Sequence, residues 1–112
     1  GPGLFESVSE AILAHELRKV NLTVRRQIAM PVVWDELEFE EAFRIDLLIG
    51  DKVIVELKSL EKIAPVHKKQ LLSYLRLADK RLGLLINFGA ETIKDGIKKI
   101  VNELPETDVM DV

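Results

Sequence analysis

The sequence predicts a single α+β domain in which helices flank a mixed sheet, and three observations predict it. The chain has 112 residues, which is room for one domain. Hydrophobic residues make up 47% of it, enough to bury a core. Apolar positions recur at helical spacing, then at strand spacing three times, and the order continues as helix, strand and helix. The predicted order α-β-β-β-α-β-α combines a hairpin with a strand–helix–strand crossover.

The first half of the chain predicts one helix and two strands. Residues 4–20 place apolar side chains at the spacing of a helix. Residues 24–34 alternate with period two, and Pro31 inside this run predicts an edge strand or a bulge. Residues 37–49 have apolar side chains at odd positions and form the clearest strand of the sequence. We interpret Trp34 and Phe39 as packing residues.

The second half predicts a strand, a helix, a strand and a final helix. Residues 52–58 follow a Gly-Asp turn and complete a hairpin with the preceding strand. A helix is predicted from Pro65 to about residue 80, and residues 82–88 are apolar almost throughout, as in a strand covered on both faces. Residues 91–104 repeat apolar positions at helical spacing and predict a C-terminal helix.

The two ends of the chain carry separate expectations. We expect the domain to span residues 1–104 and residues 105–112 to form a short acidic tail. The start, Gly1-Pro2-Gly3, has no initiator Met, which is typical of a truncated or processed chain or of a tag remnant.

Composition excludes several classes of protein. Cys is absent, which excludes disulfides, thiolate zinc sites and Cys nucleophiles, and is consistent with a cytoplasmic protein. No apolar run approaches about 18 residues, so we expect no membrane-spanning helix. The net charge of −3 argues against a protein that coats nucleic acid non-specifically.

The charge is nevertheless unevenly distributed along the chain. Residues 1–56 carry 6 basic and 11 acidic side chains, whereas residues 57–112 carry 10 basic and 8 acidic ones. Around the second predicted helix several basic side chains oppose a single acid. They are Lys68, Lys69, Arg76, Lys80 and Arg81. This bias indicates either a surface that faces phosphates or an ordinary solvated helix face.

Glu56 and Lys58 point together from a strand that is otherwise apolar. Such charges must be paired, liganded or desolvated together. Asp46 on the preceding strand is the nearest candidate partner. A three-residue hairpin loop places Asp46 opposite Glu56, whereas a two-residue turn places it opposite Val55, so the register decides whether the carboxylates converge.

If the carboxylates converge, the chemistry of a hard metal ion follows. Asp46, Glu56 and the carbonyl of Leu57 would offer oxygen ligands suited to Mg²⁺ or Mn²⁺. Lys58 beside them could orient or help to deprotonate a water and stabilise the charge that develops on a phosphate. This chemistry is phosphodiester hydrolysis.

At these residues the sequence resembles the core of the PD-(D/E)XK nuclease superfamily: Asp46, nine residues, then Glu56-Leu57-Lys58. Further segments resemble the small GxxExxY proteins of that superfamily, although Ser9 stands where the family name has Tyr. These segments are Gly3-Leu-Phe-Glu6, Phe43-Arg-Ile-Asp46, Val55-Glu-Leu-Lys58 and residues 65–76. The resemblance implies a restriction-endonuclease-like core, α-β-β-β-α-β.

The resemblance also implies an active-site set. Its catalytic members are Glu6, Asp46, Glu56, Lys58 and Gln70, with Tyr74 as a candidate addition on the helix of Gln70. Its metal ligands are Asp46, Glu56, Leu57 and Glu6, and its cofactor is Mg²⁺ or Mn²⁺.

The predicted function is hydrolysis of DNA phosphodiester bonds by a metal-dependent nuclease, with Lys68, Lys69 and Arg76 as nucleic-acid contacts. The alternative is a catalytically inactive module of the same fold that binds nucleic acid or protein. A homodimer formed through the first strand is a further expectation.

Overall fold

The computed structural model describes residues 4–103, so Gly3 of the GxxExxY segment and the acidic tail at 105–112 lie outside the described residues. The elements in chain order are α1 (Leu4–Lys19), β1 (Val24–Trp34), β2 (Leu37–Ile49), β3 (Val53–Lys58), α2 (Pro65–Leu77), β4 (Leu82–Asn87), α3 (Ile93–Gly96) and β5 (Ile97–Val101). None of the helices in this range has the length and apolar character needed to span a bilayer.

The five strands form one mixed sheet in the order β1-β2-β3-β4-β5. β1, β2 and β3 form an antiparallel meander, β3 and β4 pair in parallel through the α2 crossover, and β5 pairs antiparallel with β4. This arrangement confirms the predicted α+β fold with its mixed sheet. The edge position of β1 and its register shift between Met30 and Val32, on either side of Pro31, are also as predicted.

Each face of the sheet has its own apolar core. On one face Ala14 of α1 packs with Val55 and Leu57 of β3. On the other face Leu71 and Leu75 of α2 pack with Ile54 of β3 and with residues of β2 and β4. The opposite orientations of Val55 and Ile54 follow from the two-residue period of the strand. Glu56 and Lys58 therefore share the α2 face with Ile54.

Partway along the β1–β2 hairpin, its inward-facing side chains switch from one apolar core to the other. Leu47 of β2 packs in the core beside α1, whereas Ile45 packs in the core beside α2. In a regular strand these two side chains would share one face, because their spacing is two residues. The change occurs at Asp46 and at Gln27 of β1, whose φ of +51° departs from strand geometry. The regular alternation in the sequence gave no sign of it.

The predicted C-terminal helix over residues 91–104 is wrong. The chain forms only the short helix α3 and then the strand β5, which lies along the otherwise open edge of β4. Ile97 and Ile100 suit either structure by spacing, but β-branched side chains favour strands. Gly96 ends the helix at a close approach, since a Cβ there would collide with the carbonyl oxygen of Asn87. Pairing with β4 overrides the helical periodicity.

A two-stranded arm extends from the sheet. We define the arm as residues 30–44, the part of the β1–β2 hairpin beyond the register in which β2 pairs with β3. Trp34 at its tip is 65% exposed and Phe39 is 47% exposed, so their interpretation as packing residues is wrong. Other exposed apolar side chains of the arm are Val33 and Leu37. At the base of the arm, Phe43 stacks on Tyr74 of α2 with ring centroids 4.3 Å apart.

Candidate active site

The site lies where β2 and β3 separate. Their register pairs Ile49 with Val53 and Leu47 with Val55. This is the register of the three-residue loop, and it continues to Asp46 opposite Glu56. The two carboxylates therefore converge, as one of the two sequence alternatives predicted.

At the point of separation, side chains take the place of the backbone ladder. The Leu57 N–H donates to Asp46 Oδ2 at 2.7 Å, and the Asp46 N–H donates to Glu56 Oε1 at 3.3 Å. Each carboxylate thus satisfies a backbone donor that lost its strand partner, which a buried N–H requires. Asp46 is 8% exposed and Glu56 is half-buried. Two acidic side chains are thus held together, one buried and one half-buried.

The backbone of β3 brings a third oxygen toward the same gap. In a strand, the N–H and C=O of one residue point to the same side. The Leu57 N–H points at Asp46, so the Leu57 carbonyl also faces β2, whereas the Lys58 carbonyl faces β4 and accepts the Phe88 N–H at 2.8 Å. The arrangement offers the oxygens of two carboxylates and one carbonyl.

The electrostatics of the pair are unfavourable in the absence of a cation. Burial, followed by the charge of Asp46, raises the pKa of Glu56 from 4.5 to about 7. The hydrogen bond from the Asp46 N–H and the charge of Lys58 act in the opposite direction. Burial first, and then the negative charges of Glu56 and Asp46, raise the pKa of Tyr74. Tyr74 therefore lies close enough to the two carboxylates to be affected by their charge.

Glu56 gives the metal-free protein a defined pH dependence. Between pH 4.5 and about 7 the folded state holds a proton that the unfolded chain has released, so stability falls as pH rises through this window and levels off above it. We expect Glu56→Gln, which cannot ionise, to raise the free energy of unfolding at pH 8 by about 1–3 kcal/mol. At pH 4 the variant and the wild type should unfold alike. Denaturant titrations in EDTA measure the difference.

Glu36→Gln, at an exposed acid of the arm, is the matched control and should shift stability little at either pH. Equal stability of Glu56→Gln and wild type at pH 8 would contradict the crowding of the two carboxylates.

Two residues of the site escaped the sequence analysis. Glu10 of α1 is only 6% exposed, and its Oε2 accepts the Gln27 Nε2 at 2.9 Å. The same Gln27 nitrogen donates to Asp46 Oδ1 at 3.3 Å. A signal for Glu10 was present, since it shares the apolar stripe of α1 with Ala14, four residues on. Gln27 had none, because it stands in a polar stretch of β1.

The structure does not gather every predicted site residue at this point. Glu6 is half-buried in the first turn of α1, and Gln70 is exposed on α2, one turn before Tyr74. The basic residues predicted to contact nucleic acid are all exposed on α2. These are Lys68, Lys69 and Arg76. Among residues 4–103, no three His, Cys, Asp or Glu side chains are arranged to hold one metal ion, so Glu6 does not complete a three-carboxylate set with Asp46 and Glu56.

The oxygens of Asp46, Glu56 and the Leu57 carbonyl are ligands of the type that hard divalent cations prefer. Mg²⁺ and Mn²⁺ take carboxylate and carbonyl oxygens, and Mg²⁺ is often held by one or two carboxylates with waters completing its shell. Burial first, and then the charge of Asp46, raise the pKa of Glu56, and the charge of Lys58 opposes this only in part, so the pair still has room for further charge compensation. A cation between Asp46 and Glu56 would supply it.

The family model described as the PD-(D/E)XK nuclease superfamily matches residues 1–100. The chain belongs to the PD-(D/E)XK nuclease superfamily. No curated protein matches it.

Among solved structures, this PD-(D/E)XK chain is similar to the crystal structure of SSO0001, with a TM-score of 0.61 and 19% sequence identity. The match covers 96% of the present chain and 55% of SSO0001, so the chain spans about half the length of that protein. At this identity the likeness shows the shared fold alone.

Proposed function

We propose that this chain is a nuclease of the GxxExxY type that hydrolyses DNA phosphodiester bonds with Mg²⁺ or Mn²⁺. The observation that supports it is the convergence of Asp46 and Glu56 where β2 and β3 separate, with Lys58 following on the same face of β3. The motif that gives the superfamily its name consists of the same residue types, two acids and a lysine. By the same resemblance Glu6 and Gln70 would be further catalytic residues, with Glu6 placed outside any three-carboxylate set among the described residues.

Each residue of the site has a task in the proposed reaction. Asp46, Glu56 and the Leu57 carbonyl would hold the cation, whose chemistry when bound is Lewis-acid polarisation of the phosphodiester. Lys58 is half-buried beside them, and its ammonium stabilises negative charge that accumulates on the phosphate. Hydrolysis adds water across one P–O bond, so the leaving oxygen must gain a proton as that bond breaks.

The surface around the site gives the substrate a direction of approach. Lys69 and Arg76 lie two helical turns apart on the exposed face of α2, where they can contact phosphates. Lys68 also lines a cavity of about 620 Å³, whose charged lining is balanced between three lysines and three acids. The charged side chains are Lys62, Lys68, Lys98, Glu61, Glu91 and Asp95. Asn87, in register with Lys58, also lines this cavity. The proposed DNA path runs over the exposed face of α2, where the three basic side chains lie.

Cleavage assays test the proposal directly. The full chain is incubated with supercoiled plasmid, linear duplex, single strand and a branched junction, each with Mg²⁺, Mn²⁺ or EDTA. We expect products with either metal and none with EDTA, and the preferred DNA form identifies the substrate class. Folded protein that cleaves no form with either metal would contradict the proposal.

One observation favours the alternative of a binding module that does not cleave. The arm exposes Val33, Trp34, Leu37 and Phe39 beside several acids, a combination that suits a protein partner better than a nucleic acid. Binding of DNA or of a protein by a chain that never cleaves DNA would support this alternative. A homodimer through β1 is a separate proposal, and a monomer mass in light scattering would exclude it.

A further inference from the structure

We infer that Gln27 is a positioning residue that fixes the Asp46 carboxylate and connects it to α1 through Glu10. The consequence for cation binding rests on the proposed function, whereas the contact itself can be tested in metal-free protein. Neither residue is among Asp46, Glu56 and Lys58, on which the resemblance to the superfamily core rests.

The hydrogen bonds define one continuous network. Gln27 Nε2 donates to Asp46 Oδ1 at 3.3 Å and to Glu10 Oε2 at 2.9 Å. The second oxygen of each carboxylate is also held: Asp46 Oδ2 by the Leu57 N–H at 2.7 Å, and Glu10 Oε1 by Arg26 Nε at 3.1 Å. Neither carboxylate can rotate without breaking a hydrogen bond. Each Asp46 oxygen keeps a further lone pair that can face a cation.

The backbone places the Gln27 amide at this point. Its φ of +51° lies in the left-handed region, which costs a residue other than glycine about 1 kcal/mol. Arg44 Nη1 donates to the Gln27 carbonyl at 2.8 Å and holds this conformation. The same position is where the hairpin changes from one core to the other. A glycine would suit the backbone better, so the side chain is what distinguishes glutamine here.

The choice of an amide also has an electrostatic reason. A lysine or arginine at this position would neutralise Asp46 and compete with a divalent cation for it. The amide of Gln27 donates hydrogen bonds without adding charge, so the carboxylate is held in place and its negative charge is retained. A positioning residue for a cation ligand has these two requirements.

Two variants of Gln27 separate the side chain from the backbone. Gln27→Gly relieves the positive φ but removes the amide, and Gln27→Met keeps the length of the side chain without its donor. We expect both to weaken Mn²⁺ binding about 10-fold, measured by calorimetry on the full chain. Arg25→Met, at an exposed residue of the same strand, is the control and should bind Mn²⁺ within about twofold of wild type.

A purely structural role predicts a different result. In that case Gln27→Gly would keep full Mn²⁺ affinity, since glycine satisfies the backbone, and this result would overturn the inference. We expect instead that the Mn²⁺ affinity of Gln27→Gly falls even though glycine accommodates the positive φ. Gln27→Asn keeps an amide donor on a side chain one methylene shorter, which should not reach Asp46, so we expect its Mn²⁺ affinity to stay low.

Amide hydrogen exchange at Leu57 tests the contact without metal. Loss of the Gln27 donor frees Asp46 to rotate, so the Leu57 N–H should exchange faster in Gln27→Gly and Gln27→Met than in wild type. Unchanged exchange in both variants would overturn the inference whatever the metal data show. If wild type neither binds Mn²⁺ nor cleaves DNA, the proposed function fails, and the exchange of Leu57 still decides the role of Gln27.

Discussion

Replacing Lys58 with methionine is expected to lower DNA cleavage by about 100- to 1,000-fold while Mn²⁺ still binds. Methionine keeps most of the volume of the lysine but removes the ammonium that acts on Glu56 from the end of β3. The two carboxylates remain, so the cation site should persist. Single-turnover cleavage rates and calorimetry on the same protein samples measure the two effects separately.

Lys52→Met is the matched control, because Lys52 is an exposed lysine in the loop before the same strand. It should cleave DNA at the wild-type rate. Full cleavage by Lys58→Met would remove Lys58 from the proposed reaction, and a parallel loss of Mn²⁺ binding would assign it to the cation site instead.

Asp46→Asn is expected to reduce Mn²⁺ affinity by about 100-fold or more. Changes to residues that merely support a metal ligand already cost about 10- to 100-fold, and this one removes the charge of a ligand itself. In wild type both Asp46 oxygens accept hydrogen bonds, one from the Leu57 N–H and one from the Gln27 amide. Asparagine would replace one of these oxygens with an NH₂ group, which would face a donor instead of accepting from it. DNA cleavage should fall below detection at Mg²⁺ concentrations that saturate wild type.

The matched control for this change is Asp51→Asn. Asp51 is an exposed acid in the loop before β3, with a φ of +59° that asparagine tolerates well. Wild-type Mn²⁺ affinity in Asp46→Asn would show that this carboxylate is not a ligand. An equal loss in both variants would indicate a general effect of net charge.

Much of the fold could be predicted because local patterns and tertiary structure agree. The alternation in β2 and β3 places apolar side chains in two cores. Asp46, Glu56 and Lys58 are the polar residues that interrupt the apolar pattern of these strands, and they mark the candidate site. The pairing of Asp46 with Glu56 depended on the register, which the turn alone left open between two values. The structure settles that register by the pairing of Ile49 with Val53.

Other features could not be predicted, because they depend on distant partners. The helical spacing of Ile93, Ile97 and Ile100 predicted a helix, and the open edge of β4 turned most of it into β5. The Gln27 contact requires a positive φ and the approach of α1 to the hairpin, neither of which has a local signature. The exposure of Trp34 follows from the projection of the arm beyond its neighbouring strand.

The arm has a consequence for colloidal behaviour. An edge strand such as β1 presents unpaired backbone groups that can template aggregation. Pro31 lacks an N–H, the register shift beside it interrupts the strand, and a group of exposed acids repels a second arm. These acids are Asp35, Glu36, Glu38, Glu40 and Glu41. The outer half of β1 is thus protected against fibril-like stacking.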